Sequence, residues 1–204
     1  MDACWDIEQI LKIVQEDGMK LVGAVLTHYH FDHIGGTPPD PYKKFGVKVP
    51  GLLKILNKEP LVSVYVGEGD KELIMLEAEI PVNRIIATQD SQKIFIGSRK
   101  NISLQFIHTP GHTEGSQCIL VNGTRLLTGD TLFIGSCGRT DLPHGDVRKL
   151  YDSLQNKLSG MNEEITLFPG HAYHGFTSSI KKERTSGLLR PMSFSEFKSI
   201  IGQS

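Results

Sequence analysis

Between Asp6 and Asp17, Ile7, Ile10, Leu11 and Val14 recur at helical spacing. Asp6 is placed to cap the amino end and Gly18 to stop the carboxyl end, so the pattern predicts an amphipathic helix. Lys20 to Thr27 is a short apolar, β-branched run, read as a strand that delivers the chain directly into a histidine cluster. Thr37 to Pro41 cannot continue a ladder or a helix, because proline removes donors and restricts its predecessor; a loop or insertion is expected from there to about Pro60. Ser63 to Gly67 reads as a strand, Asp70 to Ile80 as a helix, and Arg84 to Thr88 and Lys93 to Ile96 as further strands. In the second half, strands are expected at Ile102–Ile107, Gln117–Val121, Arg125–Thr128 and Ile165–Phe168. Val147, Leu150, Leu154 and Leu158 form one helical stripe from Asp146 to Leu158. Ser193 followed by Glu196 forms a capping box ahead of Phe197, Ile200 and Ile201. Strands outnumber helices and polar motifs fall at strand ends. No repeat, low-complexity tract or linker divides the chain, which predicts one domain over residues 1–204.

Composition narrows the class. With glycine counted and tyrosine set aside, roughly 47% of positions are apolar, inside the usual globular band and far from that of a disordered chain. A formal charge of −1 offers no basic face to nucleic acid, so no such partner is expected. No stretch approaches the roughly 18 to 20 apolar residues of a bilayer span, and MDACWDIEQI lacks the basic and apolar regions of a secretory signal. A cytoplasmic protein without a membrane partner is expected; a mitochondrial address remains open if an amino-terminal segment is missing. Cys4, Cys118 and Cys137 are odd in number and form no C-x-x-C pair, which predicts reduced thiols rather than a disulfide framework or a zinc finger.

His28-Tyr29-His30-Phe31-Asp32-His33 changes the picture. In an extended segment residues i and i+2 project to one side, so His28 and His30 can grip one cation together, while a following turn directs Asp32 and His33 to a second position. Four candidate ligands in six residues are too dense for chance. Downstream, Thr109-Pro110-Gly111-His112-Thr113, Gly129-Asp130-Thr131 and Pro169-Gly170-His171 each place one further ligand just after an expected strand, with glycine permitting a tight turn. Together these nitrogen and oxygen donors suit zinc, manganese or iron rather than calcium.

The series THYHFDH, TPGHT, GDTLF and PGH, in this order, resembles the motif series of the metallo-β-lactamase superfamily over nearly the whole chain from Leu21 onward. The resemblance implies an α+β fold, an αββα sandwich with two divalent metals in a cleft at one edge of two packed sheets. By position, His28, His30 and His112 hold the first ion, Asp32, His33 and His171 the second, and Asp130 bridges them. It further implies hydrolysis by a metal-bound hydroxide that Asp32 orients, with zinc favoured and iron or manganese as alternatives. Cys137 lies near the motif with no paired base and is read as structural.

Cys137-Gly138-Arg139-Thr140-Asp141 and His171-Ala172-Tyr173-His174-Gly175-Phe176-Thr177, followed by Glu183-Arg184, resemble the glyoxalase II and persulfide dioxygenase branch. The resemblance implies a glutathione-derived small-molecule substrate, with Arg139 gripping a carboxylate and Tyr173 bonding the glutathione backbone. An Arg139 paired with Asp141 on the surface and a Tyr173 that only packs is the competing reading. A hydroxyacylglutathione hydrolase-like thioesterase is the leading expectation, because all seven binuclear ligands are kept. The alternatives are a mononuclear-iron glutathione persulfide dioxygenase using His28, His112 and Asp130, and a noncatalytic truncated family member. Only 27 residues precede His28, where relatives devote several strands to the first sheet. Some amino-terminal strands are therefore expected to be missing, which leaves a homo-oligomer open as a way to cover the exposed sheet edge.

Overall fold

The computed structural model describes residues 2–202, which divide into two compact units, the first ending at Thr88 and the second beginning at Gln89, each taken by itself below. In the first unit the elements are α1 (Ile7–Glu16), β1 (Gly23–Val25), α2 (Phe31–Ile34), α3 (Gly51–Lys58), β2 (Ser63–Gly67), α4 (Lys71–Glu77) and β3 (Ile85–Thr88). The three strands form a parallel sheet in the order β1-β2-β3, registered Gly23 to Ser63 and Val64 to Ile85. Parallel neighbours need crossover connections, and α3 and α4 lie in the two crossovers. The core gathers Ile7, Leu26, Ile34, Leu52, Ile55, Val64, Val66 and Ile74. Asp6 caps α1 by accepting from the Gln9 amide at 3.4 Å.

Two sequence expectations change here. The strand expected over Lys20–Thr27 is confined to Gly23–Val25, because β2 offers its first paired residue only at Ser63. The segment expected to be loop up to Pro60 contains α3, whose Leu52, Ile55 and Leu56 are buried. Pro50 stands at the amino end of that helix, where a missing N–H costs nothing, so it starts the helix rather than preventing it. Gly35 and Gly51 let this helix approach α2: a Cβ on either would collide with the other's backbone.

The second unit is a six-stranded sheet, β4 (Lys93–Ile96), β5 (Ile102–His108), β6 (Gln117–Val121), β7 (Arg125–Gly129), β8 (Thr166–Pro169) and β9 (Ser178–Ser179), in chain order across the sheet. All neighbours are antiparallel except β7 and β8, whose parallel pairing is bridged by α5 (Val147–Asp152), continued by wider turns from Ser153 to Leu158. Asp146 caps α5 by accepting from the Arg148 and Lys149 amides. Then come α6 (Ile180–Ser186) and α7 (Phe194–Ile200), the latter capped by Ser193, which accepts from the Glu196 amide at 3.2 Å. Leu126, Leu150, Leu154, Leu158, Leu188 and Phe197 form the core. Strand β9 and helix α6 were not foreseen from the sequence. The helix start is set by Ser179, whose hydroxyl oxygen accepts from the Lys182 amide at 3.1 Å. Among the described residues no helix is long and apolar enough to cross a membrane.

The α4 stripe supplies a test within a single helix. Ile74 is fully buried and Leu76 is 75% exposed. Ile74→Ala should cost about 2–5 kcal/mol in denaturant unfolding, and Leu76→Ala should stay within about 0.5 kcal/mol.

Candidate metal centre

The seven candidate ligands divide four to the first unit and three to the second. In the first unit the chain leaves β1, keeps one further ladder bond from the Leu26 amide to the Tyr65 carbonyl, and turns at Thr27. His30 is extended (φ −62°, ψ 146°), and its carbonyl accepts from the His33 and Ile34 amides to start α2. His28 and His30 therefore precede a single helical turn that carries Asp32 and His33. The His28 ring lies 4.0 Å from that of His33 and 4.8 Å from that of His30, centroid to centroid. The Asp32 carboxylate is 3.9 Å from His33 Nε2.

Asp2, which the sequence reading did not single out, orders this group. Its backbone N–H donates to the Val25 carbonyl, and its two carboxylate oxygens accept from the Thr27 amide and hydroxyl, both at 2.7 Å. Because the Thr27 hydroxyl proton is spent on Asp2, Thr27 Oγ1 is left to accept from His28 Nδ1 at 3.0 Å. Asp2 Oδ2 also accepts from His33 Nδ1 at 3.0 Å. Both buried rings thus carry their proton on Nδ1 and keep the Nε2 lone pair for a ligand. Asp2 is 25 to 31 positions from these partners and sits at φ 45°, so nothing local in the sequence marked it.

In the second unit, β5, β7 and β8 run in the same direction, since two antiparallel steps separate β5 from β7 and β8 is parallel to β7. Their carboxyl ends share one edge, and His112, Asp130 and His171 follow those three ends. The β5–β6 turn is tied by Thr109 N to Ser116 O and by Thr113 N to Ser116 Oγ. His112 donates from Nδ1 to the Arg139 carbonyl at 2.7 Å; a carbonyl only accepts, so here too Nε2 is the candidate ligating nitrogen. Gly138 permits this contact, because its amide donates to the Asp130 carbonyl and a Cβ there would fall 2.7 Å from His112 Nδ1. Asp130 Oδ2 lies 3.6 Å from His112 Nε2 and 3.5 Å from His171 Nε2. The His171 ring is stacked on Tyr173 at 5.2 Å and meets the edge of Phe133 at 5.9 Å.

Imidazoles with Nδ1 committed to oxygen, together with carboxylates, fit a borderline divalent ion of the zinc, iron or manganese type. Of the remaining sequence candidates, Arg139 holds Asp141 bidentately, Nε at 2.9 Å and an Nη at 2.7 Å, with both side chains exposed. Tyr173 is 65% exposed and packs on His171 and Phe133. Burial pushes the Cys137 thiol up to about 12, and Cys4 is pushed to about 12 by the same cause.

Residues 2–171 match the family described as Metallo-beta-lactamase superfamily. The chain is 31% identical over 195 residues to the human mitochondrial persulfide dioxygenase ETHE1, covering 94% of this chain and 65% of that protein. It is 26% identical over 196 residues to the hydroxyacylglutathione hydrolase GloC of Haemophilus influenzae, covering 95% of this chain and 87% of that one. The crystal structure of ETHE1 from Myxococcus xanthus superposes with a TM-score of 0.73 at 25% identity, over 97% of this chain and 75% of that one. The chain thus spans about 65% of the length of its persulfide dioxygenase relative. The expected α+β metallo-β-lactamase fold and the branch resemblance both agree with these matches.

Removing the shared acceptor should loosen two rings at once. Asp2→Ala should weaken zinc binding, measured by chelator competition, by about 10- to 100-fold. Asp6→Ala, which removes only the α1 cap, should lower stability by about 1 kcal/mol and leave zinc affinity unchanged.

Proposed function

The chain belongs to the metallo-β-lactamase superfamily, and on that premise we propose that it is a metal-dependent hydrolase of a glutathione thioester, with two divalent ions as its cofactors. The observation that carries this reading is Asp130, whose Oδ2 lies within 3.6 Å of an imidazole nitrogen from each of the two ligand sets the motifs define. That is the placement a carboxylate shared by two ions needs.

Divalent ions held by these donors would supply a water whose pKa is lowered from 15.7 to about 7, and would offset charge on an attacked carbonyl oxygen. The protein supplies orientation and binding. His28, His33 and His112, tautomerically fixed, present Nε2. The Asp32 carboxylate on α2 accepts a hydrogen bond from the attacking water and aims its lone pair. Cys137 takes no part as nucleophile, since a thiol held at about 12 is protonated at neutral pH. Arg139 recognises a glutathione carboxylate by exchanging it for Asp141. The Arg139–Asp141 pair is exposed and screened by solvent, so the exchange costs little. The Tyr173 hydroxyl reaches the glutathione backbone while its ring stays on His171.

A second reading, a persulfide dioxygenase using one iron, is favoured by the 31% identity to human ETHE1. The readings separate when zinc-loaded and iron-loaded protein are assayed in parallel for glutathione-thioester hydrolysis and for oxygen consumption with glutathione persulfide. Thioester turnover with two ions bound is expected. Oxygen consumption at one iron per chain without thioester turnover would replace the hydrolase reading with the second one, and metal binding with neither activity would leave a noncatalytic member.

Two substitutions refine this. Asp130→Ala should abolish thioester turnover and Cys137→Ser should keep most of it; equal losses at equal metal occupancy would contradict the assignment of water as nucleophile. Arg139→Ala should mainly raise KM, with kcat/KM for a glutathione thioester down about 10-fold. Metal binding should survive, because the Arg139 carbonyl that holds His112 remains. An uncharged thioester should respond little.

A further inference from the structure

We propose that Glu183 is a positioning residue that sets the orientation of the His112 and His171 rings through the segment from Phe133 to Arg139. The proposal rests on the assignment of those two histidines as metal donors.

Glu183 is buried on α6, 1% exposed, and both carboxylate oxygens are engaged. Oε1 accepts from the Ser178 hydroxyl at 2.6 Å, and Oε2 accepts from the Gly135 amide at 3.0 Å. Its own carbonyl accepts from the Gly187 and Leu189 amides, so the backbone beneath the side chain is tied as well. Gly187 leaves room for the carboxylate, since a Cβ there would collide with Oε2. The acceptor is therefore placed rather than incidental, and the group it holds is the amide of a residue at φ +68° in the middle of a loop.

That loop touches a candidate ligand ring at each end. At one end Phe133 meets the His171 ring at 5.9 Å and, edge-on at 5.2 Å, the Tyr173 ring stacked on it. At the other end the Arg139 carbonyl accepts from His112 Nδ1. Between them the Phe133 amide donates to the Ser136 carbonyl, the Ile134 carbonyl accepts from His174 Nδ1 at 3.1 Å, and the Gly138 amide donates to the Asp130 carbonyl. Of the contacts that hold this loop, the one from Glu183 comes from α6, which bears none of the seven candidate ligands. Withdrawing its acceptor leaves the Gly135 amide without that partner, and the loop must shift to find another. The His112 carbonyl partner and the Phe133 ring then shift with it.

The test uses the full chain. In metal-free protein labelled with 15N-histidine, His112 should show one tautomer with its proton on Nδ1, identified by loss of the signal in His112→Gln. Glu183→Ala should broaden or mix that tautomer and weaken zinc binding by about 10- to 100-fold in chelator competition. The d–d spectrum of cobalt-loaded protein should change as well. Glu183→Gln keeps a carbonyl for the Gly135 amide and an amide donor for Ser178 Oγ, and should restore both signatures. Leu154→Ala, a fully buried core position in the same unit, should destabilise the protein and leave both signatures unmoved. Should Glu183→Ala not fold, Glu183→Met, which fills the space without an acceptor, carries the same expectation. Wild-type signatures in the Ala or Met variant would overturn the proposal. So would equal disturbance by Leu154→Ala, or failure of Gln to rescue. The tautomer readout needs no metal and no substrate, so an error in the proposed reaction would leave it standing.

Discussion

An imidazole can offer one nitrogen to a cation in a fixed direction only when its other nitrogen is committed as a donor, and both units are organised around that requirement. His28 commits Nδ1 to Thr27, His33 to Asp2, and His112 to a main-chain carbonyl. Each acceptor is itself fixed: Thr27 by Asp2, Asp2 by the edge of β1, and the Arg139 carbonyl by the Gly138 turn beside Asp130. Without these partners the three rings, nearly fully buried, would be desolvated polar groups with two tautomers to choose from, costly to the fold and indifferent to a metal.

The sheets make that arrangement affordable in conformational terms. In the second unit three strands of common direction bring three donors to one edge before any side-chain contact is considered, and the register Gly129 to Pro169 sets Asp130 and His171 one and two residues beyond paired positions. Gly111 and Gly138 allow the backbone to come close where a Cβ would forbid it, beside Leu150 in one case and His112 in the other. Distances of 3.5 to 3.6 Å around Asp130 Oδ2 follow from ladder geometry and two tight turns rather than from flexible reach.

Much of this was legible in the sequence, for identifiable reasons. Strands Ser63–Gly67, Lys93–Ile96 and Gln117–Val121 appear at the expected residues because their apolar, β-branched runs are bounded by turn residues. The helices at Ile7, Val147 and Phe194 were announced by Asp6, Asp146 and Ser193. The ligand candidates were visible because metal chemistry demands rare residue types at short spacing. Helix α3 was obscured because the loop expected from Thr37–Pro41 was carried on to about Pro60, across Pro50, which starts the helix. Asp2 was not singled out, and Glu183 was quoted only within a motif without a role, because their partners are distant in the chain: the spacing from Glu183 to Gly135 is 48 residues. Arg139 was read toward a substrate and is found on Asp141, a contact two residues away whose formation depends on side-chain competition rather than on pattern.

The three cysteines share a condition with a chemical consequence. Burial raises Cys4 and Cys137 to about 12 and Cys118 to about 11. Such thiols stay protonated at neutral pH, and the thiolate is the form that attacks disulfides, persulfides and peroxides. A protein of this branch that meets electrophilic sulfur would therefore be a poor target for it, keeping its own thiols out of the sulfur-exchange chemistry that exposed, acidic cysteines undergo.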